Sequence, residues 1–379
     1  MTQLRRLARL QYGDALATET RLEGEVPVMS SGGVTGRHSH PNTLAPAIII
    51  GRKGSYGSIH WTDVPAFVID TAYYVDSRST DCDLRWLYYA LQAVDLRGTS
   101  QDVGVPGLSR SAVYDLHLPA LPELEEQRRV AAYLDGEVLL IDRALALRER
   151  QMSLLRERHL SWIEDVFVSR QRDEPKRPLA WLCDPKRPIQ YGIVLPGPNH
   201  EGGVPIIKGG DVAAGRLSPE LLQRTTAAID AQYSRSRVRE GDLVIAIRGS
   251  FGEVQKVPAS LNGANLTQDS ARIAPQTADL DWLAAVLETP TLQSQMQQRA
   301  TGAMVKGLNI FELRRLSVPV PPEARQLELG RTVRDEAERL QRAYELLATG
   351  TTLLTQRKQA LIAAAVTGQL DVTTARSVA

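Results

Sequence analysis

The chain has 379 residues, enough for two or three domains, and its 43% hydrophobic and 23% charged residues are an ordinary globular balance. A net charge of +1 neither requires nor excludes binding to nucleic acid. If the protein binds DNA, its basic residues must be concentrated locally, or a partner must supply the phosphate contacts. Cys82 and Cys183 are isolated and no run approaches the roughly 18 apolar residues of a membrane span, which argues against disulfide-rich secreted proteins and membrane proteins and favours the cytoplasm.

Residues 1–122 are predicted to form a globular domain of short strands separated by glycine-rich loops. Apolar or β-branched runs at Val26 to Met29, Ala47 to Ile50 and Ala66 to Ile69 are bounded by Gly, Pro, Ser or Asp, as is typical of strands. Leu84 to Ala93 is expected to be a short helix. The closely spaced prolines of the segment 119–122 exclude regular strand pairing and end the domain.

A long helix is predicted from about Glu125 to Ser169, in the segment 123–170. Its apolar residues recur at alternating spacings of four and three, the heptad pattern of a coiled-coil seam. At about 1.5 Å per residue, this helix is a rod of roughly 60 Å, longer than one domain core usually needs. The apolar seam positions are Leu134, Val138, Ile141, Leu145, Met152 and Leu155.

The second half of the chain repeats the first. After a charged linker at 170–178, the pair Tyr191-Gly192 matches Tyr12-Gly13, and the segment 248–252 matches the segment 53–57. The offset between matching residues grows near Leu217 to Glu240, which indicates an insertion in the second half. The two halves are expected to differ most at this insertion. The second globular domain is therefore placed at 171–320.

A second long helix is predicted at 321–370, before a short tail at 371–379. Val333 lies 199 positions after Leu134, and the same register continues along the helix. Because the two seams share one register, each helix is the most plausible partner of the other, as an intramolecular coiled coil. The seam of the second helix is Val333, Leu340, Tyr344, Leu347, Leu354 and Leu361.

A search for catalytic motifs is mainly negative. The sequence contains no G-x-x-x-x-G-K-[ST] phosphate loop, no H-E-x-x-H or Cys/His cluster and no G-x-S-x-G elbow. The Asp-Pro-Pro-aromatic type of motif that amino-methyltransferases use is also missing. We therefore expect no metal, no cofactor and no independent catalytic activity.

The glycine-rich loops carry the remaining candidate residues. Glycine lets backbone approach a ligand closely, and the basic, hydroxyl and amide side chains beside it can contact phosphates or base edges. A tight hairpin is the alternative for each loop, and core filling competes with base stacking at Tyr56 and Phe251. The candidate DNA-contacting residues are Arg37, His38, Arg52, Lys53, Ser55, Tyr56, Ser100, Gln101, Ser109, Arg110, Lys208, Arg216, Arg248, Ser250, Phe251, Lys306 and Asn309.

This order of domain, helix, domain and helix resembles the specificity subunit of type I restriction-modification systems. The resemblance covers nearly the whole chain and includes the strings at 53–57, 118–135, 154–158, 356–362 and 366–370. The second half departs from it at 323–326, where the first has an acidic pair before glutamine.

The resemblance implies an α+β fold with two similar α/β target-recognition domains, each followed by a long helix. The two helices would form an antiparallel coiled coil with pseudo-twofold symmetry that fixes the distance between the domains. Each domain would read half of a split, asymmetric site in double-stranded DNA. The partners would be two adenine-methyltransferase subunits, which carry S-adenosylmethionine, and optionally the restriction (translocating nuclease) subunits.

A coiled-coil adaptor whose globular repeats bind protein rather than DNA is the alternative. Such an adaptor has no need for two basic, glycine-rich loops at equivalent places in the repeat. The polar chemistry of these loops therefore favours the DNA-binding interpretation.

Overall fold

Two helices of 44 residues, α3 (Leu124–Phe167) and α8 (Glu323–Val366), follow the two globular parts of the chain. In this computed structural model, residues 2–97, 107–118, 121–249, 251–302 and 307–372 are described. The chain divides into a first unit, Met1–Glu149 with Leu347–Ala379, and a second unit, Arg150–Leu346. Each long helix therefore contributes a stretch to both units, whereas the sequence suggested helices separate from the domains.

In its described residues, the first unit contains two main sheets and two short helices, α1 (Leu84–Gln92) and α2 (Arg110–Asp115). Its strands are β1 (Thr2–Gln3), β2 (Gln11–Tyr12), β3 (Val26–Ser30), β4 (Gly33–His38), β5 (Ala47–Gly51), β6 (Ile59–Thr62), β7 (Phe67–Val68), β8 (Ala72–Asp76) and β9 (His117–Leu118). One sheet has the antiparallel order β2-β8-β5-β6. The other has the order β4-β3-β7, with β3 and β7 parallel, and β1 pairs with β9.

The second unit contains the four short helices α4 (Ala227–Gln232), α5 (Leu280–Glu288), α6 (Pro290–Arg299) and α7 (Ile310–Arg314). Its strands are β10 (Lys176–Pro178), β11 (Gln190–Tyr191), β12 (Val204–Ile207), β13 (Arg224–Thr225), β14 (Leu243–Ala246), β15 (Val254–Lys256), β16 (Asn265–Leu266), β17 (Ser270–Ile273) and β18 (Ser317–Pro319). The sheet orders are β11-β17-β14-β15, β13-β12-β16 and β10-β18.

Strand order is the same in the two units, sheet for sheet. The parallel pair β3 and β7 of the first unit corresponds to the parallel pair β12 and β16 of the second. The short helices α1 and α5 begin in the same way, because Asp83 and Asp279 accept hydrogen bonds from the backbone N–H groups of Trp86 and Trp282. The internal repeat predicted from the sequence is confirmed by this shared topology.

The insertion in the second half is divided between two places. Thr225 lies 21 positions after its strand partner Val204, whereas His38 lies 12 positions after its partner Val26. The remaining extra residues form α4 and the turn after it, before β14 begins. The predicted segment, Leu217 to Glu240, includes part of the first addition and all of α4.

Both long helices contribute residues to the hydrophobic core of each unit. In the first unit, Leu134 and Val138 of α3 share a hydrophobic core with Ile362 and Val366 of α8. In the second unit, the core includes Ile163, Val166 and Phe167 of α3 and Leu329 of α8. All of the twelve predicted apolar seam residues are buried or half-buried, whereas most positions between them are exposed.

The predicted charged linker is wrong in its second part. Lys176, Arg177 and Pro178 form β10, which pairs antiparallel with β18 in the register Lys176 to Pro319. This pairing corresponds to the pairing of β1 with β9 in the first unit. The charged composition of the segment does not predict a strand. Within the described parts of the chain, no helix is long and apolar enough to cross a membrane.

Candidate nucleic-acid interface

The first unit has an open cleft with a volume of about 610 Å³ between the β5–β6 hairpin and the start of α2. We call it the first cleft. Apart from Leu108, its side chains are aromatic, cationic or hydroxyl-bearing, and none of the described residues that line it is acidic. The lining side chains are Tyr12, Arg52, Lys53, Tyr73, Leu108, Ser109, Arg110, Ser111 and Tyr114.

Backbone hydrogen bonds hold this cleft in shape. The N–H groups of Arg52 and Lys53 both donate to the carbonyl oxygen of Thr71, over 2.8 and 3.1 Å. Leu108 donates in turn to the carbonyl of Arg52 over 2.8 Å. Ser109 caps α2 by accepting from the N–H of Ala112, so the helix begins just after the residue that is bonded to the hairpin.

The exposed ring of Tyr12 contacts two guanidinium groups. The Cζ atoms of Arg52 and Arg110 lie 5.1 and 4.9 Å from its centroid, within the range of cation–π attraction. Next to them, the Tyr73 hydroxyl donates to the carbonyl of Leu108 over 3.0 Å. Burial, followed by the nearby Tyr12, raises the pKa of Tyr73 to about 12, so this hydroxyl keeps its proton at neutral pH.

The second unit has a cleft at the equivalent place, with a volume of about 1060 Å³. We call it the second cleft. Ile247 and Arg248 both donate to the carbonyl of Asp269, and Leu308 donates to the carbonyl of Ile247 over 3.0 Å. Asn309 caps α7 as Ser109 caps α2. The two clefts therefore have the same backbone frame.

Side chains on this common frame differ between the clefts. The first cleft has Tyr73, whereas the equivalent strand position in the second unit is Ala271, because each pairs with the matching tyrosine of β2 or β11. The second cleft instead contains Gln268 and Asp269, whose amide and carboxylate groups have no counterpart among the lining residues of the first. The two surfaces thus offer different donors and acceptors.

Glycines let the backbone of the second cleft approach closely. A Cβ atom on Gly209 would clash with the carbonyl oxygen of Arg248, and one on Gly307 would lie 3.1 Å from Arg248 Nε. In the hairpins, Gly54 and Gly249 have positive φ angles of 70° and 75°, which favour glycine. The predicted tight hairpins are therefore present, and the basic side chains lie beside them.

Seven of the predicted contact residues line the clefts: Arg52, Lys53, Ser109, Arg110, Lys208, Arg248 and Asn309. Lys208 Nζ donates to Gln223 Oε1 over 2.5 Å. Ser55 and Arg216 are exposed but do not line either cleft. Ser100, Gln101, Ser250 and Lys306 lie outside the described residues.

Four other predicted residues contact parts of the chain outside the two clefts. His38 is buried, its Nδ1 accepts a hydrogen bond from the N–H of Leu22, and its ring packs edge-on against Phe67. The guanidinium of Arg37 forms an ion pair with Glu25. Tyr56 and Phe251 are half-buried against the cores of their units, so the core-filling alternative describes their position.

The aromatic residues of the first cleft were missed from sequence. The sequences around Tyr73 and Tyr114 do not distinguish them from ordinary core tyrosines. Tyr12 had a usable signal, because Tyr12-Gly13 and Tyr191-Gly192 match in the repeat and both tyrosines line a cleft. Among the described residues, no group of three His, Cys, Asp or Glu side chains could hold a metal ion.

Comparisons with known proteins agree with this architecture. None of the known family models matches the chain. The specificity subunit of the type I restriction enzyme EcoBI from Escherichia coli is 26% identical over 342 residues, which cover 83% of this chain and 69% of that protein.

Two solved structures match nearly the whole length of this chain. A chain from a structure on the complex assembly and conformational transition of the type I R-M system has a TM-score of 0.68 and 17% identity, and the match covers 97% of each chain. The type I restriction-modification S subunit from M. genitalium has a TM-score of 0.43 and 16% identity, over 96% of this chain and 95% of that one. The resemblance inferred from the sequence is confirmed: this chain is similar to the specificity subunits of type I restriction enzymes.

Proposed function

We propose that this chain is the DNA specificity subunit of a type I restriction-modification complex, in which each unit reads one half of a split DNA site. The observation that carries the proposal is the pair of clefts, built on one backbone frame and lined by different polar side chains. A repeated frame can address two half-sites as a dimer would, and unlike side chains predict unlike half-sequences.

Specificity would arise from differential binding. Lys53 and Arg248 occupy matching places in the two clefts and can donate to phosphates or to guanine edges. Ser109 and Asn309 occupy a second matching pair, but their side chains cap helices, so they position the frame. Each good contact between a side chain and a base discriminates by about 1–3 kcal/mol.

The long helices would act as a ruler between the half-sites, as an antiparallel coiled coil with pseudo-twofold symmetry. Two contacts within the first unit support the antiparallel direction. Lys358 Nζ lies 2.7 Å from Asp142 Oδ1, and the guanidinium of Arg148 lies beside Gly350. Residue numbers rise along α8 as they fall along α3, which is the antiparallel order.

Exposed leucines support two copies of a protein partner. Leu140, Leu147 and Leu154 are exposed at heptad spacing on α3, outside its seam. Leu346 and Leu353 are exposed on α8, 199 positions after Leu147 and Leu154. Equivalent apolar rows on both helices fit two copies of one subunit, for which we propose the adenine methyltransferase. That subunit would bind S-adenosylmethionine and perform the chemistry.

Selection from a random library of DNA duplexes by the purified complex of this chain and its methyltransferase tests the proposal. We expect enrichment of one sequence with two specified, unlike halves and an unspecified gap. A stable complex that enriches no sequence would contradict DNA reading and favour the adaptor.

A further inference from the structure

The second unit has another cavity, which is distinct from the second cleft, and half of the residues that line it are cations. It has a volume of about 730 Å³, and we call it the basic pocket. Among the described residues that line it, none is acidic. The cationic side chains that line it are Lys186, Arg187, Arg235, Arg237, Arg239 and Arg272.

The base of the basic pocket is the buried Arg272 of β17, which is 2% exposed. Its guanidinium donates to three backbone carbonyls, those of Arg235 over 2.6 Å, Arg237 over 2.8 Å and Pro188 over 3.1 Å. No carboxylate among the described residues pairs with it, and its Nε has no hydrogen-bond partner there. Arg272 therefore holds the walls of the pocket together and adds a buried positive charge.

Two of the other cations are neutralised by buried carboxylates. Arg187 makes a bidentate pair with Asp242, over 2.9 and 2.5 Å, and Arg237 pairs with Asp230. These pairs fix the two guanidinium groups in place.

Three exposed cations complete the lining. Lys186, Arg235 and Arg239 have no side-chain hydrogen bond or ion pair with any described residue. Burial, followed by Arg187, lowers the pKa of Arg272, and the nearby carboxylates of Asp242 and Asp184 act in the opposite direction. An anion in the pocket would supply the missing counter-charge.

The basic pocket and the second cleft share the edge strand β11. Gln190 lines the pocket and the next residue, Tyr191, lines the cleft. Consecutive side chains of a strand point to opposite faces, so the two sites lie on either side of this strand. In the first unit, the position equivalent to Arg272 is Tyr74, whose hydroxyl donates to the carbonyl of Asn42. The buried arginine is thus particular to the second unit.

We propose that the basic pocket binds a phosphate group of the DNA backbone beside the half-site read by the second cleft. This inference rests on the proposed function. Arginine suits the ligand, because its planar donors match phosphate oxygens, and cations that replace counterions make binding depend on salt. The pocket would anchor the second unit without reading sequence, and would give it a stronger backbone contact than the first unit has.

The test compares DNA binding by the complete methyltransferase complex with wild-type chain and with Arg235→Gln/Arg239→Gln. The matched control is Arg6→Gln/Arg9→Gln, which removes two exposed arginines of the first unit. The dissociation constant is measured at several salt concentrations for a duplex with the site and for one of random sequence. Titration of the complex with inorganic phosphate is the second arm.

We expect the pocket variant to lose affinity for both duplexes by the same factor, on the order of tenfold, and its salt slope to fall by about one, as for the loss of one phosphate contact. Arg235→Lys/Arg239→Lys should restore most of the binding. Affinity and slope equal to the control would overturn the proposal. If the pocket variant loses the binding of inorganic phosphate but keeps the DNA affinity of the wild type, the pocket binds a free anion and not the DNA backbone. If the wild-type complex binds no DNA, the proposed function itself fails.

Discussion

Gln127 Oε1 accepts a hydrogen bond from the backbone N–H of Asp83 over 2.8 Å, at the point where a short helix and a long helix both begin. The same side chain donates through Nε2 to the carbonyl of Pro122. In the second unit, Gln326 accepts from Asp279 over 3.2 Å and donates to the carbonyl of Pro321. One buried glutamine in each unit thus joins the proline turn, α1 or α5, and the long helix.

Replacing this glutamine should destabilise its own unit. Gln127→Leu leaves the N–H of Asp83 and the carbonyl of Pro122 without their partner, which costs about 2–3 kcal/mol in the free energy of unfolding. The exposed Gln356→Leu is the control, with an expected change within about 0.5 kcal/mol. Urea unfolding followed by circular dichroism measures both. Equal free energies of unfolding for wild type and Gln127→Leu would show that these two hydrogen bonds make no net contribution to stability.

The two clefts should be separable by mutation. Lys53→Gln is expected to relax or weaken only the half-site of the first unit, and Arg248→Gln only that of the second, each by about 1–3 kcal/mol. Methylation maps for each variant report the change base by base. If either variant altered both halves alike, the assignment of one half-site to each cleft would fail.

Lengthening the helix pair should lengthen the unread gap. Four residues inserted after Glu149 and four after Leu346 add about one turn, or 6 Å, to each helix, and the equal lengths keep the two helices in axial register. We expect the gap to grow by about two base pairs, since one base pair spans about 3.4 Å, with both half-sequences unchanged. An unaltered gap would contradict the ruler.

The exposed leucines should be needed for assembly with the methyltransferase. Leu147→Glu places a charge in one apolar row, and Leu346→Glu does so in its repeat equivalent. Each single variant is expected to lose one methyltransferase copy and the double variant both, as measured by mass photometry of the co-expressed complex. Leu22→Glu, at another exposed leucine, should assemble normally.

The second unit should become less stable as the pH rises through neutrality. Burial, followed by Glu253, raises the pKa of Glu288 from its ordinary 4.5 to about 7. Its stabilising contribution, that of the protonated form, is present below about pH 4.5 and is lost as the pH rises through 7. Glu288→Gln should therefore be more stable than wild type at pH 8 and have a flatter pH profile in thermal unfolding. The exposed Glu201→Gln should keep the wild-type profile.

Local periodicity and proline position made the long helices predictable. The structure has α3 at Leu124–Phe167 and α8 at Glu323–Val366, within a few residues of the expected bounds. Strands β3 and β5 were also expected within one residue, because their apolar runs end at turn residues. By contrast, β10 consists of two cationic residues and a proline, and only its pairing with β18 makes it a strand.

The site was less predictable because its residues come from distant segments. Arg52 and Arg110 are brought to Tyr12 by the sheet and by α2, and no local pattern contains that contact. His38 looked like a loop residue, but it ends β4 and its ring turns towards Phe67. Arg272 lies in the short strand β17, and the carbonyls that accept hydrogen bonds from its guanidinium belong to residues that are distant in the sequence.

The most direct measurement is a methyladenine map of a methylation-free host that expresses this chain together with the adenine methyltransferase of its own genome. The account predicts one split, asymmetric motif that disappears when this chain is omitted. Methylation that persists without the chain, or a stable complex that methylates no defined sequence, would contradict the claim that the two units read DNA.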